Sequence, residues 1–149
     1  MSSASQSPPI RVPIREGLFC GDLEHLETVS LRGTKCDSCN EVALAEQKIC
    51  TNCGGDAVGQ IALARSGVLW TYTVARNRPP GGYHGQDPFV PFGLGLVELA
   101  EGIRVYTPLE GDVQKIRIGA PANFKAFVTH TDGEGREVVG FSFAIAAKG

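Results

Sequence analysis

Cys36-Asp37-Ser38-Cys39-Asn40 and Cys50-Thr51-Asn52-Cys53-Gly54-Gly55 are the stretches that decide how this chain is built. Each carries a C-x-x-C pair, and ten residues separate the pairs. That spacing lets two tight turns present four thiolates to one tetrahedral ion. Gly54 supplies the positive φ that such a turn needs, and Asn40 can take the same left-handed role in the first turn. The reading is a structural zinc held by Cys36, Cys39, Cys50 and Cys53, because four thiolates leave no open position for catalysis. Two disulfides and an iron–sulfur cluster are the alternatives. The start, MSSASQSPP, has neither a basic end nor an apolar stretch. A cytoplasmic location is therefore the expectation, and it disfavours disulfides. The fifth cysteine, Cys20, has no base beside it in Gly17-Leu18-Phe19-Cys20-Gly21. It reads as a small buried residue before it reads as a nucleophile.

Downstream of the cysteines the pattern turns to β. Residues 57–65 form the expected last ribbon strand, and the stretch Val68-Leu69-Trp70-Thr71-Tyr72-Thr73-Val74 opens the next module. A Gly- and Pro-rich loop, Arg76 to Pro91, follows. Next come Phe92–Leu99, a turn at Glu101-Gly102, and Ile103–Thr107, a hairpin. Ala122–Thr129, a turn at Asp132-Gly133-Glu134-Gly135, and a last strand from Val138 to about Ala146 complete the set. Five short antiparallel strands need closure to hide their edges. A five-stranded OB-fold barrel is the economical solution, with an open sandwich as the alternative. Trp70, Tyr72, Phe124, Phe141 and Phe143 are assigned to the barrel core by their alternation.

Upstream, residues 1–12 are Ser- and Pro-rich. Pro13 to Leu26 is expected to form one or two short helical pieces: Ile14, Leu18 and Phe19 at helical spacing, Gly21 as a stop and Asp22 as a cap. The predicted organisation is thus an N-terminal flexible and helical arm over 1–32, a zinc ribbon over 33–65 and a barrel over 66–149, mainly β overall.

Composition narrows the function. The chain has 149 residues, 42% hydrophobic and 20% charged, as a folded domain should have. No apolar run approaches the ~18 residues of a membrane span. Fourteen Lys and Arg against 16 Asp and Glu do not suit phosphate-backbone binding. His25, His84 and His130 stand in no metal or triad spacing. Gly93-x-Gly95 opens a strand and not a helix, so a dinucleotide reading fails on context. Catalysis by this chain alone is not expected.

In order, these features resemble the DUF35 family, which joins a rubredoxin-like zinc ribbon to an OB-fold. The pieces are the four-cysteine ribbon, Ser66–Val74, Pro91–Gly102 and Ile118-Gly119-Ala120-Pro121-Ala122, within roughly residues 15–147. The segment Asp22–Lys35 reads as a long linker and departs from the family pattern. The resemblance implies a non-catalytic zinc-binding subunit of an acyl-CoA-processing complex. Its partner would be a thiolase-like catalytic subunit acting in β-keto acyl-CoA thiolysis or condensation; small subunits of thiolases such as benzoylsuccinyl-CoA thiolase have this architecture. Structural Zn2+ and a shared CoA or acyl-CoA are the ligands it implies, in a cytoplasmic hetero-oligomer without nucleic acid or membrane. Arg76 and Arg78, with Tyr83 and His84 in the same loop, are the candidates for CoA, whose phosphates suit guanidinium donors. Leu18 and Phe19 are the candidates for an acyl or pantetheine wall. A nucleic-acid-binding OB-fold and ribbon module is the alternative, by fold analogy.

Overall fold

The computed structural model describes residues 10–77 and 89–146. The described strands are β1 (Arg11–Pro13), β2 (Phe19–Cys20), β3 (Ser30–Cys36), β4 (Val42–Leu44), β5 (Val58–Ala62), β6 (Ser66–Ala75), β7 (Phe92–Leu99), β8 (Arg104–Glu110), β9 (Pro121–Thr131) and β10 (Glu137–Ile145). Strands β6, β7 and β8 form an antiparallel meander. β10 then lies parallel to β8 and antiparallel to β9, and β9 returns to β6 through Ser66↔Asn123. That last pairing closes a five-stranded barrel with OB-fold strand order.

Strict alternation fills its interior. Val105, Thr107 and Leu109 of β8 point inward between exposed neighbours, as do Ala122, Phe124 and Ala126 of β9. On β7 the inward positions include Gly93 and Gly95. A Cβ on Gly95 would sit 2.9 Å from the Cδ1 atoms of both Leu69 and Leu109, so glycine makes room for the large side chains opposite.

The core assignment of Trp70 needs correction. The β6–β7 register shifts between Leu69 and Thr71, a bulge that leaves Trp70 unpaired. Leu69 points inward and is fully buried, Trp70 turns out to solvent, and Tyr72 packs back on the core. Phe124 and Phe143 are buried as expected, with Phe141 packed against them.

Among the described residues the arm forms no α-helix. Arg11–Pro13 pairs parallel to Glu137–Val139 of β10. Ile14 N–H donates to the Val139 carbonyl at 2.8 Å, extending the contact. β8 pairs with β10 only near Phe143, so the first half of that strand edge is open to a partner. Its unmet backbone groups outcompete a short helix, which is marginal alone. Gly17 and Gly21, at φ 75° and 101°, break the segment on either side of β2. Asp22 does cap, through Glu24 N–H donating to Oδ1 at 2.9 Å, but it caps a turn that leads to one 3-10 turn, Leu26–Thr28. The segment read as a linker contains β3, the central strand of a small sheet with β2 and β4 along one edge and β5 along the other.

One core spans this sheet and the barrel. Leu18, Phe19, Val29, Leu31 and Leu63 cluster with Leu69, Phe124 and Phe143. Phe19 sets its ring edge-on to Phe124 and Phe141, at 6.4 and 6.2 Å between centroids.

Two outcomes follow. Phe143→Ala, at a fully buried position, should cost about 3–5 kcal/mol in urea denaturation. Asp132 holds the β9–β10 turn by accepting N–H bonds from Arg136 and Glu134, both at 2.9 Å, and an Arg136 Nε bond at 2.8 Å. The Arg136 N–H is the largest of the influences that lower its pKa, and they outweigh partial burial. A depressed carboxylate stabilises the fold above its unfolded pKa of about 3.9. That contribution is lost as pH falls through the lowered folded value. Melting temperature should therefore drop below about pH 4, and Asp132→Asn should flatten that acid limb.

Candidate functional site

The four-cysteine cluster is built by two turns with the same backbone wiring. In the first, Asn40 N–H donates to the Cys36 carbonyl at 2.9 Å and Cys36 N–H to the Glu41 carbonyl at 2.9 Å. In the second, Gly54 N–H donates to the Cys50 carbonyl at 3.0 Å and Cys50 N–H to the Gly55 carbonyl at 2.7 Å. Asn40 and Gly54 take φ 64° and 77°, the left-handed roles read from the sequence. Cys36 ends β3, so the strand anchored in the shared core positions the first ligand.

The four Sγ atoms lie within 4.8 Å of one another. Cys36 and Cys53 are 3.7 Å apart, and Cys39 and Cys50 3.6 Å. A tetrahedral site with metal–sulfur bonds of about 2.3 Å sets its sulfurs about 3.8 Å apart. The cluster therefore fits a metal ion and a zinc-ribbon geometry.

N–H donors surround the sulfurs. Asn52 and Cys53 backbone N–H groups lie 3.3 and 3.4 Å from Cys50 Sγ, and Asn52 Nδ2 lies 3.5 Å from Cys39 Sγ. The Cys53 N–H, then that of Asn52, draws the Cys50 thiol below its ordinary pKa. For Cys53 the Gly55 N–H is the largest influence and pulls downward. The Cys36 and Cys50 thiols and partial burial outweigh it, and Cys53 is pushed up to about 11. Such bonds to sulfur favour thiolates and orient ligands, as outer partners do at metal sites. Asn52 was missed in the sequence, where only its place inside the C-x-x-C turn marks it.

The other candidates are dispersed. Arg76 is exposed just beyond the end of β6, while Arg78, Tyr83 and His84 lie outside the described residues. Leu18 and Phe19 are buried in the shared core. Phe19 also lines a cavity of about 270 Å³ between arm and ribbon, with Glu16, Gly17, Leu23, Arg32 and Glu46. Arg32 donates there from Nε and Nη2 to the Phe19 carbonyl, at 3.3 and 3.1 Å. Cys20 is half-buried, its Sγ 3.9 Å from the Ile61 carbonyl oxygen. His25 is exposed between Asp22 and Glu27, and His130 Nδ1 is 2.8 Å from Thr129 Oγ1.

Barrel and cluster define the class: a four-cysteine ribbon-like sheet fused to an OB-fold barrel. Residues 60–126 match the family described as "ChsH2, C-terminal OB-fold domain". The chain is 21% identical over 114 residues to the benzoylsuccinyl-CoA thiolase subunit BbsA of Thauera aromatica, covering 76% of this chain and 74% of that one. It is 28% identical over 88 residues to the same subunit of Geobacter metallireducens, covering 58% of this chain. That match spans about half of the Geobacter protein, 55%. A DUF35 domain-containing scaffold protein of Pyrococcus furiosus is 32% identical over 76 residues, 51% of this chain and 52% of that protein. Among solved structures, a chain of the "Ltp2-ChsH2(DUF35) aldolase" aligns with TM-score 0.59 and 26% identity, over 78% of this chain and 84% of that one. These matches bear out the DUF35 resemblance read from the sequence. No helix among the described residues is long and apolar enough to cross a membrane.

Elemental analysis of purified protein should find about one metal ion per chain, as a single four-thiolate site requires. Cys50→Ser should lose the ion and loosen the ribbon. Binding of this kind can supply on the order of 10 kcal/mol to a module with little core of its own. Metal-free protein that keeps the native fold would refute the assignment.

Proposed function

We propose that this chain is a non-catalytic accessory subunit of an acyl-CoA-processing complex. Its ribbon, over 33–65, holds a structural zinc, and its barrel, over 66–149, docks with a thiolase-like catalytic subunit. The reaction served is β-keto acyl-CoA thiolysis or condensation, in the cytoplasm. The observation that carries the reading is the match, over three quarters of the chain, to a thiolase subunit. The likeness to a chain of the "Ltp2-ChsH2(DUF35) aldolase", aligned over 78% of this chain, supports it.

The division of labour follows from the chemistry. Thiolysis needs an activated cysteine and an oxyanion hole. Four of the five cysteines here are committed to one cluster, and Cys20 is half-buried against a backbone carbonyl. The nucleophile is therefore assigned to the partner. This chain's part is to hold the assembly together and to help hold CoA. Arg76 and Arg78, with Tyr83 and His84, are assigned to the CoA phosphates. The cavity wall at Phe19, backed by Leu18, is assigned to the pantetheine or acyl portion.

Co-expression with a thiolase-like subunit from the same organism, followed by thiolysis assays over a panel of acyl-CoAs, tests this reading. The complex should turn over and this chain alone should not. Arg76→Ala or Arg78→Ala should raise KM for the CoA substrate, with assembly intact, by the roughly 1.5–3 kcal/mol of one charge-assisted contact. Full turnover by this chain alone, or a thiolase indifferent to its presence, would overturn the proposal.

A further inference from the structure

Resting on the reading that this chain docks onto a catalytic subunit, we propose which surface receives it: the outward face of β6, β7 and β8 around Trp70 and Tyr106. The partner presents an uncharged, largely apolar protein face.

Exposed large apolar side chains are concentrated here. Val68 is 49% exposed, Trp70 45%, Tyr106 63% and Ile118 65%. The register places Val68, Trp70 and Tyr106 on one face, with Leu96, Glu98 and Arg104 between and beside them. Val68 lies opposite Glu98 and Glu98 opposite Arg104, while Leu96 lies opposite both Thr71 and Tyr106. Leu69, Val97 and Val105 fill the interior, so their strand neighbours point out. The loop bearing Ile118 is bonded to the flank of β6, through Gly119 N–H to the Leu69 carbonyl and Leu69 N–H to the Ala120 carbonyl. Trp70, the chain's one tryptophan, shares the outward side of β6 with Val68, opposite the buried Leu69, and the bulge then returns Tyr72 to the core. Contiguous exposed apolar surface marks interaction sites, and Trp, Tyr and Arg are the residues that dominate protein interfaces.

Charge decides the occupant. The Arg104 guanidinium lies 3.9 Å from the centroid of the Trp70 ring, and its Nε is 3.4 Å from Glu98 Oε2. The cation is thus neutralised within the face, and one face of the indole is already covered. A nucleic acid needs free ring faces and unspent positive charge. An apolar protein surface needs neither, and the ion pair enters the contact without stranding a charge. Arg104 also fixes the Trp70 rotamer before binding, which limits the entropy lost on docking.

The test is the affinity between this full-length chain and a thiolase-like subunit from the same organism, by calorimetry. Trp70→Ala should weaken binding by roughly 30-fold, the scale of an interface hot spot. Tyr106→Glu should weaken it at least as much, with melting temperatures unchanged. If the wild-type chain binds and both variants bind equally well, the proposed function stands and this face is not its interface. If the wild-type chain does not bind, the proposed function falls and this proposal with it. A homodimer split by Tyr106→Glu would make a second copy the occupant and overturn the inference. So would capture of an oligo-dT probe that Trp70→Ala abolishes.

Discussion

The packing of Phe19 against Phe124 and Phe141 is the contact on which the arrangement of this protein depends. Phe19 belongs to a two-residue strand, too short to hold a position by hydrogen bonds alone. Its ring enters an aromatic cluster that belongs otherwise to the barrel. Burying such a side chain is worth about 1.5–3 kcal/mol, and here the gain falls to both halves at once. Polar contacts reinforce the junction. Ala64 N–H donates to Glu101 Oε2 at 3.0 Å, and Phe124 N–H to the Arg65 carbonyl at 2.7 Å. The cysteine-bearing sheet is thereby fixed against the barrel by its core and by its linker together.

The four-cysteine cluster sits at the far end of the same strand that the junction holds. Between Lys35 and Val58 the buried side chains are few, chiefly Cys36, Ala45 and Cys50. Small modules without a core need a metal or a disulfide, and four convergent sulfurs fill that need. Ala45 carries part of the cost, a buried non-glycine residue at φ 70°. Its N–H donates to the Arg32 carbonyl at 2.7 Å, and its carbonyl accepts from Thr34 Oγ1 at 2.8 Å. The turn is held from both sides by β3, so strain in the ribbon is offset by the strand anchored in the shared core.

This architecture separates stability from recognition. The cysteine turns and the aromatic cluster hold the shape. The outward face of the β6–β8 meander carries exposed apolar side chains that nothing in the fold requires there. Under the proposed function, catalytic chemistry is left to a partner and this chain supplies binding surface.

The sequence by itself determined the local pieces. The cysteine turns were legible because two C-x-x-C pairs followed by Asn40 and Gly54 leave few other conformations open. The barrel strands were legible because alternation, as in Val105, Thr107 and Leu109, is a local property of a half-buried strand. Three matters were decided only by the tertiary structure. Arg11–Pro13 became a strand because β10, far away in sequence, had an open edge to pair with, and Phe19–Cys20 became one by pairing with β3. Ser30–Lys35, read as the end of a linker, became with Cys36 the central strand of its sheet because its partners β4 and β5 lie beyond the first cysteine of the cluster. Trp70 faces solvent because Leu69 is the residue that enters the barrel, and Tyr72 returns to the core only because an unpaired residue in β6 shifts the alternation between them. In each case the deciding contact is made between distant segments, and spacing within one segment carries no record of it.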